Sequence, residues 1–306
     1  MSSDLARQIL KGDHRAVASI ISLIEDGHPK ATGVVKALYA RTGRAHVIGV
    51  TGAAGTGKSS LIDRLIAEYR RRKRRVGILA VDPTSPFSTG AVLGDRIRMR
   101  DHFLDKDVFI RSFATRGSTG GLARPIRDAI HLLDAMGKDV IIVETIGVGQ
   151  DELDVATLAQ TVAVVLMPQA GDEVQGMKAG FAEIADILVV NKADLPGADE
   201  TVRQLKALFA DSDSLVVATS ALKNQGVRLL VDGIEERRTM SLRNGGDEKR
   251  RLSLCRHELL SLLRARVFAE ATRRIGDDSL EDIVRLVAER RMDPYSAVDQ
   301  IAKRLG

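Results

Sequence analysis

Seven apolar runs, near 46–51, 76–82, 107–112, 139–144, 161–167, 186–191 and 214–219, constrain this chain more than any other feature. Val, Ile and Leu dominate most of them as near-continuous stretches. Alternation would signal a strand with one wet face; continuity signals burial on both faces, the habit of parallel sheets. The intervening segments suit crossover helices. The expected fold is therefore α/β, a doubly wound, mostly parallel sheet with ligand sites at the carboxyl ends of its strands.

Both ends of the chain read as helical. In residues 1–45, Leu5, Ile9, Leu10, Val17, Ile20, Ile21 and Ile24 have rough helical spacing, Gly27-His28-Pro29 breaks the chain, and a second helix is expected over about 31–41. The polar stretch 243–248 forms a joint, beyond which helices are expected over about 248–272, 278–291 and 294–304. An apolar stripe through Leu252, Cys255, Leu259, Leu262, Leu263 and Val267 needs cover from the sheet domain or from another subunit, and a dimer contact is the favoured reading. The expected division is a helical N-terminal segment (1–45), a nucleotide domain (46–240) and a C-terminal helical arm (241–306).

Composition narrows the class. Of 306 residues 44% are hydrophobic, enough for a sizeable core, yet no stretch is apolar for long enough to span a bilayer. The N-terminus has no signal pattern, and one cysteine permits no intrachain disulfide, which fits a cytoplasmic protein. Cys255 is expected as a buried, inert thiol. The net charge is +5, with its densest run at Arg70–Arg75. That run ends a predicted helix, where cations are favourable, and reads as a solvated face. Aromatics are 3% with no Trp, so base stacking is poorly served and no nucleic-acid partner is expected.

Directly after the first run lies Gly52-Ala53-Ala54-Gly55-Thr56-Gly57-Lys58-Ser59, with Ser60 next. This is a full G-x-x-x-x-G-K-S phosphate loop. Its glycines let backbone N–H groups close around a phosphate, and a helix starting near Gly57 adds its positive end. Lys58 can reach the β and γ phosphates, and the Ser59 hydroxyl can bind Mg²⁺.

The base is read elsewhere. Asn191-Lys192-Ala193-Asp194 follows the sixth run. A carboxylate at Asp194 accepts two hydrogen bonds from guanine N1–H and its 2-amino group; adenine would leave it unpaired. Thr219-Ser220-Ala221-Leu222, after the seventh run, fits a loop closing over the base.

Magnesium takes oxygen ligands. Asp82 and Glu144 stand at predicted strand ends beside the phosphate loop, and Asp95 suits either a metal or a helix cap. Gly147 can offer its N–H to the γ phosphate. The next residue is Val148, which cannot orient water, so no catalytic glutamine stands there. Gln150 can be recruited by a loop shift. The segment Gly171–Lys178 is a second source, with Gln175 or Lys178 stabilising transition-state charge; its alternative is a plain surface loop.

Together these stretches resemble the MeaB/ArgK family, P-loop GTPases that chaperone adenosylcobalamin-dependent acyl-CoA mutases. Asp82-Pro83-Thr84-Ser85, Glu144–Gln150 and Gly171-Asp172-Glu173-x-Gln175-Gly176 carry the resemblance beyond the general GTPase motifs. It implies a GTP-hydrolysing metallochaperone that gates cobalamin delivery to a mutase such as methylmalonyl-CoA mutase and protects or reactivates it. It implies Mg²⁺ at Ser59, Asp82, Asp95 and Glu144, a mutase-dependent catalytic switch at Asp172–Lys178, and a homodimer held by the C-terminal arm. The partners implied are the mutase and the cobalamin adenosyltransferase. Two other readings stand beside it. A nickel-delivery GTPase would show His or Cys clusters, whereas the six histidines here are scattered. An ATP-using transport-system kinase would not need Asp194.

Overall fold

A computed structural model gives the protein's structure over residues 2–82, 99–114, 123–145, 155–168 and 184–305. Elements are numbered in chain order within these residues. The sheet strands are β1 (His46–Thr51), β2 (Val76–Asp82), β3 (Val108–Ala114), β4 (Val140–Glu144), β5 (Thr161–Leu166), β6 (Ile187–Val190) and β7 (Leu215–Ala218). All seven coincide with the apolar runs. Their order is β3-β2-β4-β1-β5-β6-β7, and every pairing is parallel.

Each face of the sheet carries its own core. On one side lie α1 (Ser2–Leu10), α2 (His14–Glu25), α3 (Pro29–Leu38), α5 (Ala123–Ala135) and α6 (Ala198–Leu208). They bury Ile9, Ile20, Leu38, Leu133 and Leu205 against Val143, Val164 and Leu188. On the other lie α4 (Lys58–Arg71) and α7 (Val227–Arg243), burying Leu61, Ile62, Leu65, Ile66, Leu230 and Ile234 against Ile48, Ile142 and Val189. Alternate strand residues go to opposite cores, which is why the runs are continuous. Each fully buried Leu or Ile contributes roughly 2 kcal/mol of transfer free energy.

The N-terminal segment differs from expectation. One helix through residues 5–24 is instead two. Gly12 turns the chain at φ +84°, and Asp13 caps α2, accepting from Arg15 N (2.8 Å) and Ala16 N (3.1 Å). The next helix starts earlier, at Pro29 in its first position, because His28 Nδ1 accepts from Lys30 N and caps it.

Most of the basic run is a solvated face, as expected: Arg71, Lys73, Arg74 and Arg75 are exposed, whereas Arg70 and Arg72 are half-buried. Arg70 donates to Asp105 and Asp107, each at 2.7 Å, and Arg72 to Glu68 (2.8 Å), Asp232 (2.6 Å) and Glu235 (2.9 Å). These cations join α4 to the turn before β3 and to α7.

The chain divides into two compact units, 1–250 and 251–306. The second holds most of α8 (Gly246–Ile275), then α9 (Asp277–Ala288) and α10 (Pro294–Leu305). None of the residues of α8 is buried. Cys255 on it is exposed, contrary to the expected buried thiol. Among the described residues, no helix is long and apolar enough to cross a membrane.

Candidate nucleotide site

The described motif residues lie at the carboxyl ends of β1, β4 and β6. The phosphate loop leaves β1 at Gly52, whose φ is +132°. A β-carbon there would stand 2.1 Å from the Val165 carbonyl oxygen, so only glycine lets the loop run this close to β5. Gly55 (φ +82°) and Gly57 (φ +90°) complete the turn, and Gly57 caps α4. Thr56 closes the loop on itself, its hydroxyl donating to the Ala53 carbonyl at 3.0 Å. Lys58 folds back across the loop, with Nζ 2.8 Å from the Gly52 carbonyl and 3.1 Å from that of Ala53. Its ammonium therefore sits over the same concavity that the amide groups and helix end make attractive to an anion.

Ser59 and Glu144, two of the expected cation ligands, meet. The Ser59 hydroxyl donates to Glu144 Oε1 at 2.7 Å, and both side chains are buried. Register accounts for the meeting: Glu144 ends β4 opposite Val50 of β1, one residue before the strand turns into the loop. Asp82 ends β2, two positions beyond Ala80, which pairs with Glu144. The side chain of Asp82 lies outside the described part. So do Asp95, Gly147, Gln150, Gln175 and Lys178.

The residues expected to read the base line a separate recess of about 210 Å³. It is lined by Gly57, Ser60, Asn191, Lys192, Asp194, Leu195, Ser220, Ala221 and Leu222. Asn191 is its keystone. Its Nδ2 donates to the Thr56 carbonyl (2.9 Å), and its Oδ1 accepts from Thr219 Oγ1 and the Ala221 amide, each at 3.2 Å. One buried side chain thus ties the phosphate loop, β6 and the 219–222 loop together. Asp194 Oδ1 accepts from Ser220 Oγ at 2.6 Å, and this bond holds the carboxyl below its usual range. Asp194 is therefore an anionic acceptor at neutral pH, the state guanine requires.

Two contributors, Leu195 and Arg64, are absent from the expected set. Leu195 and Leu222, 49% and 81% exposed, give the recess apolar surfaces suited to the faces of a planar base. Leu222 is among the expected residues, but Leu195 is not, although it directly follows the Asn-Lys-x-Asp motif. Arg64 on α4 donates through Nε to the Ala221 carbonyl at 3.0 Å and anchors the closing loop. No motif marks it, because the contact joins residues far apart in sequence.

Comparison with known proteins bears on the family and the fold. Residues 17–275 match the family model described as methylmalonyl-CoA mutase-associated GTPase MeaB. A Pyrococcus abyssi protein named as a GTPase is 45% identical over 314 residues, covering 100% of this chain and 97% of the relative. The mitochondrial methylmalonic aciduria type A homolog of Caenorhabditis elegans is 38% identical over 205 residues, 62% of this chain and 51% of that protein. A crystal structure of an LAO/AO transport system kinase superposes with a TM-score of 0.74 at 22% identity, covering 99% of this chain and 97% of that one, and so shares the fold. By its family match and its site, this chain belongs to the MeaB family of P-loop GTPases, binding guanine nucleotides and hydrolysing GTP.

Proposed function

We propose that this GTPase is a chaperone of an adenosylcobalamin-dependent acyl-CoA mutase such as methylmalonyl-CoA mutase, gating cobalamin delivery and protecting or reactivating its client. The observation that carries the reading is the family match across 17–275, whose description names mutase association. The relatives named for methylmalonic aciduria type A support it. The cobalamin adenosyltransferase is the second partner in this reading, and a homodimer built through the 241–306 arm is the working form.

The described half of the site binds rather than hydrolyses. Loop amides and Lys58 hold phosphates, Asp194 and Ser220 read the base, and Asn191 fixes their spacing. Ser59 and Glu144 are hard oxygen donors, buried and in contact, and so fit Mg²⁺. When bound, Mg²⁺ neutralises developing charge on phosphate oxygens. We assign Asp82 and Asp95 to the same cation, and Gln150, Gln175 and Lys178 to the hydrolytic step that the client completes.

The test is GTP turnover with and without purified methylmalonyl-CoA mutase carrying adenosylcobalamin. The mutase is expected to raise the rate. Lys178→Ala is expected to bring the stimulated rate down toward the basal one while GTP affinity stays unchanged. A turnover rate indifferent to this and other cobalamin-dependent acyl-CoA mutases would sink the proposal.

A further inference from the structure

At the opposite end of β1 from the phosphate loop lies a recess of about 430 Å³. Its floor is His46, the first residue of β1, with Thr161 of β5; its wall is the corner between α7 and the start of α8. His46 is 2% exposed, and its Nε2 lies 2.9 Å from Thr161 Oγ1. Its other ring nitrogen has no hydrogen-bond partner among the described residues. Burial, aided by the charge of Arg238, lowers its pKa to about 3, so the ring is neutral.

The lining holds three arginines, Arg237, Arg238 and Arg250, and three aspartates, Asp186, Asp213 and Asp247, yet of these arginines only Arg237 is ion-paired among the described residues. Arg237 is committed: it lies 3.6 Å from Asp186 and donates to the Asp213 carbonyl. Asp186 in turn accepts from Val162 N at 2.8 Å. Arg238 and Arg250 differ. Arg238 donates to the Arg44 carbonyl at 3.1 Å, and Arg250 to the Ala159 (3.2 Å and 3.1 Å) and Ala156 (3.0 Å) carbonyls. Among the described residues neither has a carboxylate partner. A guanidinium has five N–H donors, so carbonyl bonds leave donors available on each. Asp213 is exposed at the rim. Asp247 sits in the first turn of α8, where the helix N-terminus offsets its charge.

We propose that this recess is a second binding site, for a small anion presenting carboxylate or phosphate oxygens to Arg238 and Arg250. Bidentate guanidinium contacts are the natural recognition of such oxygens. The neutral His46 ring adds a donor or an acceptor at the floor, according to its tautomer, and Asp247 gives a hydroxyl or amide on the ligand an acceptor. The site is separate from the nucleotide's: it uses the starts of β1 and β5, whereas the phosphate loop follows the end of β1.

The experiment follows the histidine ring resonances of the full-length protein by NMR. The nucleotide site is kept filled with a non-hydrolysable GTP analogue, so the phosphate loop is occupied. Inorganic phosphate is titrated in one arm and malonate in the other, and His46→Gln assigns the reporting signal. A saturable shift of the His46 signal is expected, and the arm that saturates earlier identifies the oxygens preferred. Arg238→Gln and Arg250→Gln should each weaken binding about tenfold. Arg250→Gln also releases the Ala156 and Ala159 carbonyls, so Ser241→Glu, which places a carboxylate on the wall without touching those bonds, gives an independent check and should abolish the shift. The proposal is overturned by no saturable shift with either anion across the millimolar range, or by titrations that Arg238→Gln and Ser241→Glu leave unchanged.

Discussion

At the scale of single residues, base choice in the proposed reading rests on one carboxylate and the hydroxyl that holds it. Asp194 is kept ionised by the Ser220 bond, with Lys223 Nζ 4.0 Å away. Guanine offers a carboxylate two donors; xanthine carries a carbonyl in place of the 2-amino group. Asp194→Asn replaces one acceptor oxygen by a donor, which mismatches guanine and matches xanthine. GDP affinity should fall by about a hundredfold or more, because a site built for paired hydrogen bonds is left with a mispaired polar group. XDP affinity should rise in the same variant. Fluorescence titrations with both nucleotides decide it, and a GDP affinity within a few-fold of the parent would mean that Asp194 is not the base reader.

At the scale of elements, the phosphate loop offers an internal comparison between two glycines. Gly52 and Gly55 both have positive φ. A β-carbon at Gly55 meets nothing within 4 Å, whereas at Gly52 it meets the Val165 carbonyl oxygen at 2.1 Å. Gly55→Ala should therefore cost about 1 kcal/mol of backbone strain, and Gly52→Ala about 3 kcal/mol or more, because β1 and β5 must separate. Thermal unfolding of the two variants, with and without GDP, measures the difference; equal losses would refute the close-approach account. The sequence makes the need for glycine legible at both positions but not this ranking, which depends on a strand more than a hundred residues away. The same divide runs through the whole site. Gly52–Ser60, Asn191–Asp194 and Ser220–Leu222 are legible because their chemistry is local in sequence and each follows an apolar strand. Arg64 on the Ala221 carbonyl and the His46–Arg238–Arg250 recess are not, because each is assembled by tertiary contacts from residues with no shared pattern. The split of the N-terminal helix at Gly12-Asp13 was open to reading from glycine and a capping aspartate, but the apolar spacing runs across it and dominates.

At the scale of the whole molecule, the surface of the arm sets the last expectation. The 30-residue helix α8 buries none of its residues, yet Leu259, Leu263 and Val267, on one face of it, are 66%, 52% and 57% exposed. Charges dominate its remaining length, and a contiguous apolar surface of this kind marks an interaction site. In proteins a helix draws most of its stability from packing an apolar face rather than from propensity. Heterologous cover would require an abundant second protein, whereas a second copy of the chain supplies the same stripe in a self-complementary, two-fold contact. Sedimentation equilibrium should therefore give a dimer, and Leu259→Glu with Leu263→Glu should dissociate it. GDP affinity should survive the double substitution, since every described residue lining the base recess lies before residue 223. The stability of the arm should not survive it: helicity should fall together with dimerisation, and far-ultraviolet circular dichroism of the full-length double variant reads that loss. A monomeric parent, or a double variant that stays dimeric with full helicity, would remove the arm from the interface and leave its apolar stripe to a different partner.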